Sequence, residues 1–352
     1  MEVNLVGTVL AVQANFYQVR LDCVEQRGIL LCTRRTRLKK IGQKVMVGDR
    51  VIVEEPDFVD GRGAIAEVLP RQTRLDRPPV ANAEQILLVF SLAEPPLDAL
   101  QLSRFLVKAE STQLVPCLCL NKVDLVSERE QLQWEERLGK WGYKPIFVSV
   151  ATDDNLEKVI GQLKDKITVI AGLSGVGKSS LINKLIPAAN LRTGQVSGKL
   201  SRGRHTTRHV ELFELLQGGF LADTPGFNQP DLDCDPADLP LYFPEARARL
   251  GENHCQFSDC LHRDEPNCVV RGDWERYEHY LKFLAEAIAR QDLLNQRPDA
   301  ESSLKLKIKG SGERTYEPKL ESKKYRRRSR KQRNQSLEDL YEEAKKLAED
   351  FD

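Results

Sequence analysis

Two short segments carry the residue types of a guanine-nucleotide site, and their order along the chain is unusual. Residues 172–179 (Gly-Leu-Ser-Gly-Val-Gly-Lys-Ser) have the spacing of a phosphate-binding loop. Residues 121–124 (Asn-Lys-Val-Asp) supply a carboxylate that could accept hydrogen bonds from N1–H and the exocyclic amine of guanine, a donor pair that adenine lacks. In an ordinary GTPase the phosphate loop comes first. Here it comes second, so the order predicts a circularly permuted GTPase domain.

The phosphate loop predicts nucleotide and magnesium chemistry. It lies between an apolar run at 167–171 and a helical pattern at 179–185, which is the context of a true phosphate loop. Its glycines let backbone N–H groups converge on phosphate oxygens. Lys178 should reach the β- and γ-phosphates and serve catalysis, and Ser179 should ligate Mg²⁺. The expected contacts are Gly172, Ser174, Gly175, Val176, Gly177, Lys178, Ser179 and Ser180.

Two further stretches extend the predicted site. Residues 219–226 (Gly-Phe-Leu-Ala-Asp-Thr-Pro-Gly) are an apolar run that ends in Asp223, which should hold Mg²⁺ directly or through water. The N–H of Gly226 should sense the γ-phosphate. Ser149 ends a short apolar run and marks the loop that helps to enclose the base. The expected base contacts are Asn121, Lys122, Asp124 and Ser149.

The γ-phosphate-sensing threonine and the catalytic group should lie within residues 202–207 (Arg-Gly-Arg-His-Thr-Thr). Thr206 and Thr207 are both candidates for the threonine that also ligates Mg²⁺, and we favour Thr207. Ras-like enzymes place a water-orienting glutamine just after the Asp-x-x-Gly motif, but here that position is Phe227, which cannot orient water. We therefore predict that His205 orients the hydrolytic water, with an rRNA group or a water network as the alternative.

Three cysteines and a histidine form a metal-ligand pattern downstream. Together they supply three thiolates and one imidazole, a full tetrahedral set that predicts one structural zinc. Four unliganded residues in a reduced loop are the alternative. Cys234 and His254 lie nearby and are not expected to be ligands. The predicted ligands are Cys255, Cys260, His262 and Cys268.

The elements that must position these residues fall into blocks. Within residues 3–69, five β-prone runs fit a small barrel of the OB type. From residue 85 to 223, strand and helix patterns alternate as in a doubly wound parallel sheet, beginning with a run at 85–90 that suits a strand buried on both faces. The barrel runs are 5–12, 16–21, 27–31, 50–54 and 63–68.

Two basic segments raise the question of a polyanionic partner. The first, between the third and fourth barrel runs, is either a solvated hairpin loop or a loop that contacts nucleic-acid phosphates. The second, residues 303–333, has thirteen Lys and Arg against three Glu, so we expect it to be disordered alone and to contact a polyanion. Residues 336–339 resemble a capping box that opens a final acidic helix. The first segment contains Arg34, Arg35, Arg37, Lys39, Lys40 and Lys44.

We therefore predict a multidomain chain with an N-terminal OB-type β-barrel, a central circularly permuted α/β P-loop GTPase domain and a C-terminal zinc-binding α-helical module. The predicted boundaries are 1–70 for the barrel, 71–80 for a linker, 81–229 for the GTPase domain, 230–294 for the zinc-binding module with a helix at 274–294, and 295–352 for the basic tail.

Composition limits the class of protein. With 352 residues, 41% of them hydrophobic, the chain can bury two or three cores, and its net charge of +1 assigns no partner. No run approaches the roughly 18 apolar residues of a membrane span, and a signal peptide is lacking. We expect a cytoplasmic monomer without a membrane partner. Core packing is expected for Cys23, Cys32, Cys117 and Cys119, which lie among apolar residues.

Taken together, these residues resemble the circularly permuted GTPases of the RsgA (YjeQ) family of bacteria and plastids. The resemblance covers about residues 3–290 and rests on the motif order, the Cys-x4-Cys-x-His-x5-Cys spacing and residues 203–207. It implies hydrolysis of GTP to GDP and phosphate, stimulated by the 30S ribosomal subunit, and a role in late maturation of that subunit. It also implies contacts of the barrel and zinc module with 16S rRNA around the decoding region.

Two other functions stay open. A GTP-dependent RNA-binding translation factor outside assembly would use the same site and would prefer intact 70S ribosomes to 30S subunits. A metabolic kinase could use the same phosphate loop, but the Asn-Lys-Val-Asp motif and the lack of an evident small-substrate site disfavour it.

The permuted order also predicts coupling. The strand that ends at Asp223 continues within a few residues into the zinc module, so the γ-phosphate sensor is tied to a candidate RNA-binding element. We predict that the bound nucleotide, GTP or GDP, sets the orientation of the zinc module.

Overall fold

The computed structural model describes most of the chain. The described residues are 5–22, 28–76, 79–112, 114–187, 210–223, 231–295, 304–308 and 314–318. They divide into two units, one up to Ala289 and one from Arg290 onwards.

The first five strands close into a barrel, because each pairs with two neighbours. Strand β1 pairs with β2 and β4, β3 pairs with β2 and in parallel with β5, and β4 pairs with β5. The order β1-β2-β3-β5-β4 thus returns to β1 and leaves no open edge. The predicted five-stranded barrel is confirmed. Its strands are β1 (Leu5–Gln13), β2 (Phe16–Leu21), β3 (Ile29–Arg34), β4 (Arg50–Asp57) and β5 (Arg62–Val68).

The basic segment after β3 is not a plain hairpin loop. Residues Thr36–Lys40 form a short helix, α1, because Leu38 packs into the barrel core and turns its neighbours outward. Arg35 pairs with Glu54 and Glu55 of β4. The exposed basic residues are Arg37, Lys39, Lys40 and Lys44.

The segment predicted as a linker contains a small hairpin. Strands β6 (Arg74–Asp76) and β7 (Pro79–Ala81) pair antiparallel, and Leu75 and Val80 are buried in the same cluster as the central sheet. The Pro and Arg content of this segment suggested a linker, but Leu75 and Val80 are buried in the hydrophobic core beside the central sheet. The segment is therefore a packed joint after the barrel.

The central part is a doubly wound sheet in the order β10-β9-β8-β11-β13-β12, parallel except for β12. Every residue of β8 is buried, as its continuous apolar run predicted. Helices α2 and α3 pack on one face, and α4 and α5 on the other. The elements are β8 (Gln85–Ser91), α2 (Ala99–Glu110), β9 (Val115–Asn121), α3 (Glu128–Lys140), β10 (Ile146–Phe147), α4 (Leu156–Leu163), β11 (Ile167–Ala171), α5 (Lys178–Leu185), β12 (Glu211–Glu214) and β13 (Phe220–Asp223).

The zinc-module part of the chain packs against α2. It contains a 3₁₀ turn (Leu239–Tyr242) and helices α6 (Pro244–Glu252) and α7 (Tyr277–Asn295). Its aromatic core includes Phe243 and Trp274, and Val107 of α2 belongs to the same cluster. The module therefore shares a hydrophobic core with the GTPase part.

The second unit differs from the sequence prediction. Residues Leu304–Ile308 (β14) and Arg314–Pro318 (β15), in the tail that we expected to be disordered, pair as an antiparallel hairpin. The physical reason is local, since the segment 304–308 (Leu-Lys-Leu-Lys-Ile) alternates apolar and basic residues with the period of a strand. The predicted final acidic helix lies outside the described residues.

Three of the predicted core cysteines are buried. Burial raises the pKa of Cys32 to about 12 and that of Cys117 to about 11, and it also raises the pKa of Cys119. These thiols pack as apolar groups. Cys23 lies outside the described residues. Within the described ranges, none of the helices has the length and apolar content that crossing a membrane requires.

Candidate nucleotide site and metal-ligand cluster

The permuted motifs meet at one edge of the central sheet. In the strand register, Asn121 lies beside Ser91, Leu88 beside Ala171, and Ile170 beside Asp223. Because β8, β9, β11 and β13 are parallel, their carboxyl ends all lie on the same side. The base-reading motif, the phosphate loop and Asp223 therefore follow neighbouring strands despite their order in the chain.

Two glycines of the phosphate loop are required by close backbone and side-chain approaches. Gly172 has φ +145°, and a Cβ there would lie 2.1 Å from the carbonyl oxygen of Val89. Gly177 has φ +99°, and a Cβ there would lie 2.3 Å from Nδ2 of Asn121. A side chain at either position would therefore open the loop.

The lysine of the loop lies over the loop backbone. Lys178 Nζ donates to the carbonyl oxygens of Gly172, at 2.8 Å, and Leu173. Val176 is buried, whereas Ser174 and Gly175 face solvent. The ammonium group is thus held beside the phosphate loop, whose N–H groups would bind phosphate oxygens.

Asn121 ties the phosphate loop to the base loop. Its side chain is buried, its Nδ2 donates to the carbonyl of Val176 at 2.9 Å, and its Oδ1 accepts from the N–H of Val150 at 3.1 Å. One amide thus fixes the distance between a loop that can bind phosphates and a loop that can bind a base.

Ser149 positions the carboxylate of Asp124. The Ser149 hydroxyl is fully buried and donates to Oδ1 of Asp124 at 2.6 Å, while its Oγ accepts from the N–H of Thr152. The hydroxyl leaves the other carboxylate oxygen for a ligand. From the sequence, Ser149 was predicted only as a base-loop residue, and the structure adds this hydrogen bond.

Lys122 adopts the left-handed conformation, with φ +64°. Its Nζ donates to the carbonyl of Glu94, and the Ser91 hydroxyl donates to the carbonyl of Pro95 at 2.7 Å. The loop after β8 therefore supports Lys122, a contact that the motif itself did not predict.

A cavity of about 700 Å³ opens between these loops. Five of its lining residues were not predicted contacts, namely Leu125, which follows Asp124, Val150 and Ala151 of the base loop, and two residues of α5. Helical spacing offered a signal for the latter, since residues three and four positions after Ser180 lie on its face. Lys184 Nζ pairs with Asp153 Oδ1 at 2.6 Å beside the base loop. The lining residues are Asn121, Lys122, Asp124, Leu125, Val150, Ala151, Gly177, Ser180, Asn183 and Lys184.

Apart from Lys178, Ser179 and the backbone of Asp223, the residues expected to act on the γ-phosphate and its Mg²⁺ lie outside the described part of the chain. The register places Asp223 next to the strand that leads into the phosphate loop. The predicted residues outside the described ranges are His205, Thr206, Thr207, Gly226 and Phe227.

The four predicted metal ligands converge. Nδ1 of His262 lies 3.4 Å from Sγ of Cys255 and 3.3 Å from Sγ of both Cys260 and Cys268. All four ligand atoms lie within 4.8 Å of one another, and neither Cys234 nor His254 belongs to the group. Burial lowers the pKa of His262, which favours the neutral imidazole that a metal requires. The donor set and its spacing fit a tetrahedral zinc site.

Comparison with known proteins gives the family. A model of the RsgA GTPase family matches residues 68–233. The "Small ribosomal subunit biogenesis GTPase RsgA" of Trichormus variabilis is 66% identical over 361 aligned positions, covering 97% of this chain and 98% of that protein. The chain belongs to the RsgA GTPase family. It is accordingly a GTPase.

Solved structures agree with this membership in the RsgA family. The crystal structure of YjeQ from Thermotoga maritima has a TM-score of 0.68 and 34% identity, covering 82% of this chain and 100% of that one. YloQ, described as "a circularly permuted GTPase", also has a TM-score of 0.68, with 32% identity over 82% of this chain and 96% of its own. The circular permutation predicted from the motif order is confirmed.

In this RsgA-family chain, side chains from outside the metal-ligand motif hold the ligand loop. The Tyr277 and Tyr280 hydroxyls of α7 donate to the carbonyls of His262, at 2.9 Å, and Leu261, at 2.7 Å. Glu265 accepts hydrogen bonds from three backbone N–H groups of residues 261–264. Burial raises the pKa of Glu265, but backbone hydrogen bonds outweigh this effect and lower it to about 2. These three residues were not predicted, because no local pattern links them to the cysteines.

Proposed function

We propose that this protein binds the 30S ribosomal subunit and acts in its late maturation, hydrolysing GTP to GDP and phosphate with stimulation by that subunit. The observation that carries the nucleotide part is the single buried amide of Asn121, which links the phosphate loop to the base loop. The ribosomal part is supported by the relatives, whose shared name is small ribosomal subunit biogenesis GTPase.

We assign the base to Asp124 and the phosphates to the loop. Asp124 Oδ2 would accept from the guanine ring, since Ser149 already donates to Oδ1. The phosphates would take the place of the loop carbonyls as partners of Lys178. The nucleotide contacts we propose are those expected from the sequence, together with Leu125, Asn183 and Lys184 at the cavity wall.

Two metals complete the proposed chemistry. Mg²⁺ bound with GTP would be held by Ser179, Asp223 and Thr207, directly or through water, and would neutralise charge on the β- and γ-phosphates. Zinc would be held by the four converged Cys and His side chains and would stabilise their loop.

The RNA-binding surface we propose includes the exposed basic residues around α1 and the zinc module. The segment between β3 and β4 contains four exposed basic residues, Arg37, Lys39, Lys40 and Lys44. Phosphate contacts of this kind fix position without reading sequence. The proposed location is the cytoplasm, because that is where the proposed partner assembles, and the proposed solution state is a monomer.

The alternative is a GTP-dependent translation factor outside assembly. The two functions differ in their ribosomal target, so the test is co-sedimentation of the full chain with purified 30S, 50S and 70S particles at several salt concentrations. With a non-hydrolysable GTP analogue we expect retention on 30S and weak retention on 50S and 70S. Preferential retention on 70S would favour the alternative.

A further inference from the structure

The barrel is attached to the strand that lies between the two γ-phosphate-sensing segments. Strand β12 begins four residues after Thr207, and the β12–β13 hairpin ends at Asp223. Ala11 of β1 pairs with Glu211 of β12, Glu211 pairs with Asp223, and Asp223 pairs with Ile170 of β11. Strands lie about 4.8 Å apart, so a barrel residue lies roughly 10 Å from the backbone of the proposed magnesium residue.

A β-bulge in β1 makes this attachment part of the core. The register of β1 against β2 shifts between Val9 and Ala11, so Leu10 is the extra residue. Val9 belongs to the barrel cluster, whereas Leu10 belongs to the cluster of the central sheet, together with Val210 and Leu212 beside and within β12. Two successive side chains of β1 thus pack into different hydrophobic cores, Val9 into that of the barrel and Leu10 into that of the central sheet.

An arginine clamps the other end of β12 to the barrel. Arg20 of β2 donates to Glu214 through Nε, at 2.8 Å to Oε2, and through Nη2, at 2.7 Å to Oε1. The Arg20 side chain is 16% exposed and that of Glu214 is 44% exposed, and the bidentate geometry fixes how the two groups meet. Backbone pairing at Glu211 and this clamp at Glu214 hold both ends of a four-residue strand.

We propose that Arg20 and Glu214 transmit contacts on the barrel to the nucleotide site through β12, so that binding of the 30S subunit to the barrel adjusts the position of Asp223. This inference rests on the proposed function, since the ligand on the barrel is the small-subunit RNA. Any shift of the barrel moves β12, and with it the paired backbone of Asp223. Coupling of binding is reciprocal. If the 30S subunit changes the relative affinity of the chain for GTP and GDP, the two nucleotides must change its affinity for the 30S subunit by the same factor.

The test compares four variants of the full chain. Arg20→Gln and Glu214→Gln each remove the clamp, and the Arg20→Glu/Glu214→Arg double variant restores a reversed pair. The matched control is Asp22→Asn, which breaks the bidentate Arg50–Asp22 pair inside the barrel. The measurements are kcat and KM for GTP with and without 30S subunits, and 30S affinity with a GTP analogue and with GDP.

We expect each single variant to lower the 30S-stimulated kcat about fivefold, the size of a modest coupling. KM and the turnover without 30S should not change, and the reversed pair should restore part of the loss. The ratio of 30S affinities in the two nucleotide states should shrink in parallel. Asp22→Asn should behave as the wild type.

Two results would overturn the inference. One is full 30S stimulation in Arg20→Gln, and the other is an equal loss in Asp22→Asn, which would indicate barrel destabilisation. If 30S subunits do not stimulate GTP turnover of the wild type, the proposed function fails. The inference is then tested by amide hydrogen exchange of β1. Exchange that differs between GTP-analogue and GDP forms in the wild type but not in Arg20→Gln supports coupling, and equal exchange in both wild-type forms rejects it.

Discussion

At the residue scale, the nucleotide site is organised by two side chains that each make a double contact. Asn121 links two loops, and Ser149 holds Asp124 while accepting from the next turn of its own loop. The motifs predicted which residues gather, because phosphate and base chemistry restrict residue type. They did not predict the Ser149–Asp124 bond or the Glu265 loop support, because these depend on side-chain directions in irregular loops.

Asp124→Asn should reverse base preference from guanine to xanthine. The amide cannot accept from both N1–H and the exocyclic amine of guanine, but it can donate to the extra carbonyl oxygen of xanthine. The variant loses one of the two hydrogen bonds to a charged acceptor and places its own NH₂ group against the exocyclic amine of guanine. Together these effects cost roughly 3 kcal/mol, so GTP affinity should fall at least about 100-fold. Competition binding with GTP and XTP measures this. Retained GTP preference would remove Asp124 from the base site.

His205→Ala should reduce turnover much more than nucleotide binding. The reason is that Phe227 occupies the position of the usual water-orienting glutamine and has no polar group. General-base or water-positioning groups contribute about 10²- to 10⁴-fold. Single-turnover hydrolysis and GTP affinity should be compared, with His254→Ala as a histidine control outside the site. Unchanged turnover would assign the role to an rRNA group or a water network.

At the element scale, packing between secondary-structure elements determines features that the sequence pattern did not predict. The parallel strands of the central sheet were predicted within a few residues, because buried parallel strands are continuous apolar runs, whereas the antiparallel strand β12 was not predicted. The 71–80 linker and the basic tail were predicted less well. The strands of the 71–80 segment depend on a core that Leu75 and Val80 enter, which composition does not show. In the tail, the high charge of the whole segment led to a prediction of disorder although residues 304–308 alternate like a strand. The packing of the zinc module on α2 also required the structure, since the two are far apart in the chain.

Arg276→Met should destabilise the interface between the zinc module and the central α/β part of the chain. Arg276 is fully buried, donates to both oxygens of Glu245 and lies over the rings of Trp141 and Phe243. Removing it leaves a buried carboxylate unpaired, which costs about 3–5 kcal/mol. Denaturant unfolding measures the loss.

Two comparisons test this account of Arg276. Arg104→Met removes an arginine that also lies over an aromatic ring but is 28% exposed, so it should cost at most about 1 kcal/mol. The double variant Arg276→Met/Glu245→Gln should cost less than Arg276→Met alone. Equal losses for Arg276→Met and Arg104→Met would contradict the buried-pair argument.

Removing zinc should disorder its loop but spare the nucleotide site. The loop around Cys260 is held by the four ligands, Glu265 and two tyrosines, whereas the nucleotide loops lie at the end of the central sheet. Cys260→Ala should lose stoichiometric zinc and show fast amide exchange at 255–268, with GTP affinity unchanged. Cys234→Ala, outside the ligand group, is the control. Zinc retention in Cys260→Ala would contradict the ligand set.

At the scale of the whole molecule, the GTPase core has connections on two sides. Barrel and central strands form one eleven-stranded sheet through β1 and β12. On the other side, Arg104–Glu286, Lys108–Asp233 and Glu110–Arg247 pairs join α2 to the zinc module. The sequence predicted the barrel, the GTPase domain and the zinc module, but not the contacts between them. The bulge at Leu10 and the pairing of residues 200 positions apart leave no local sequence pattern.

These joints refine the predicted coupling of nucleotide state to zinc-module orientation. Because the module shares a core with α2, a nucleotide-dependent movement should carry α2 along with it. Spin labels on exposed positions of α2 and α7 should therefore keep one separation in the GTP-analogue and GDP forms. A changed separation would place the hinge between these helices.

The central claim is that the permuted site is a GTPase completed by the small ribosomal subunit. Steady-state GTP turnover of the full chain, measured alone, with 50S and with purified 30S subunits, tests it most directly. We predict that 30S raises turnover at least about tenfold, well below the 10³- to 10⁵-fold that a group supplied in trans can contribute. We predict no comparable effect of 50S. Equal turnover with and without 30S would contradict the account.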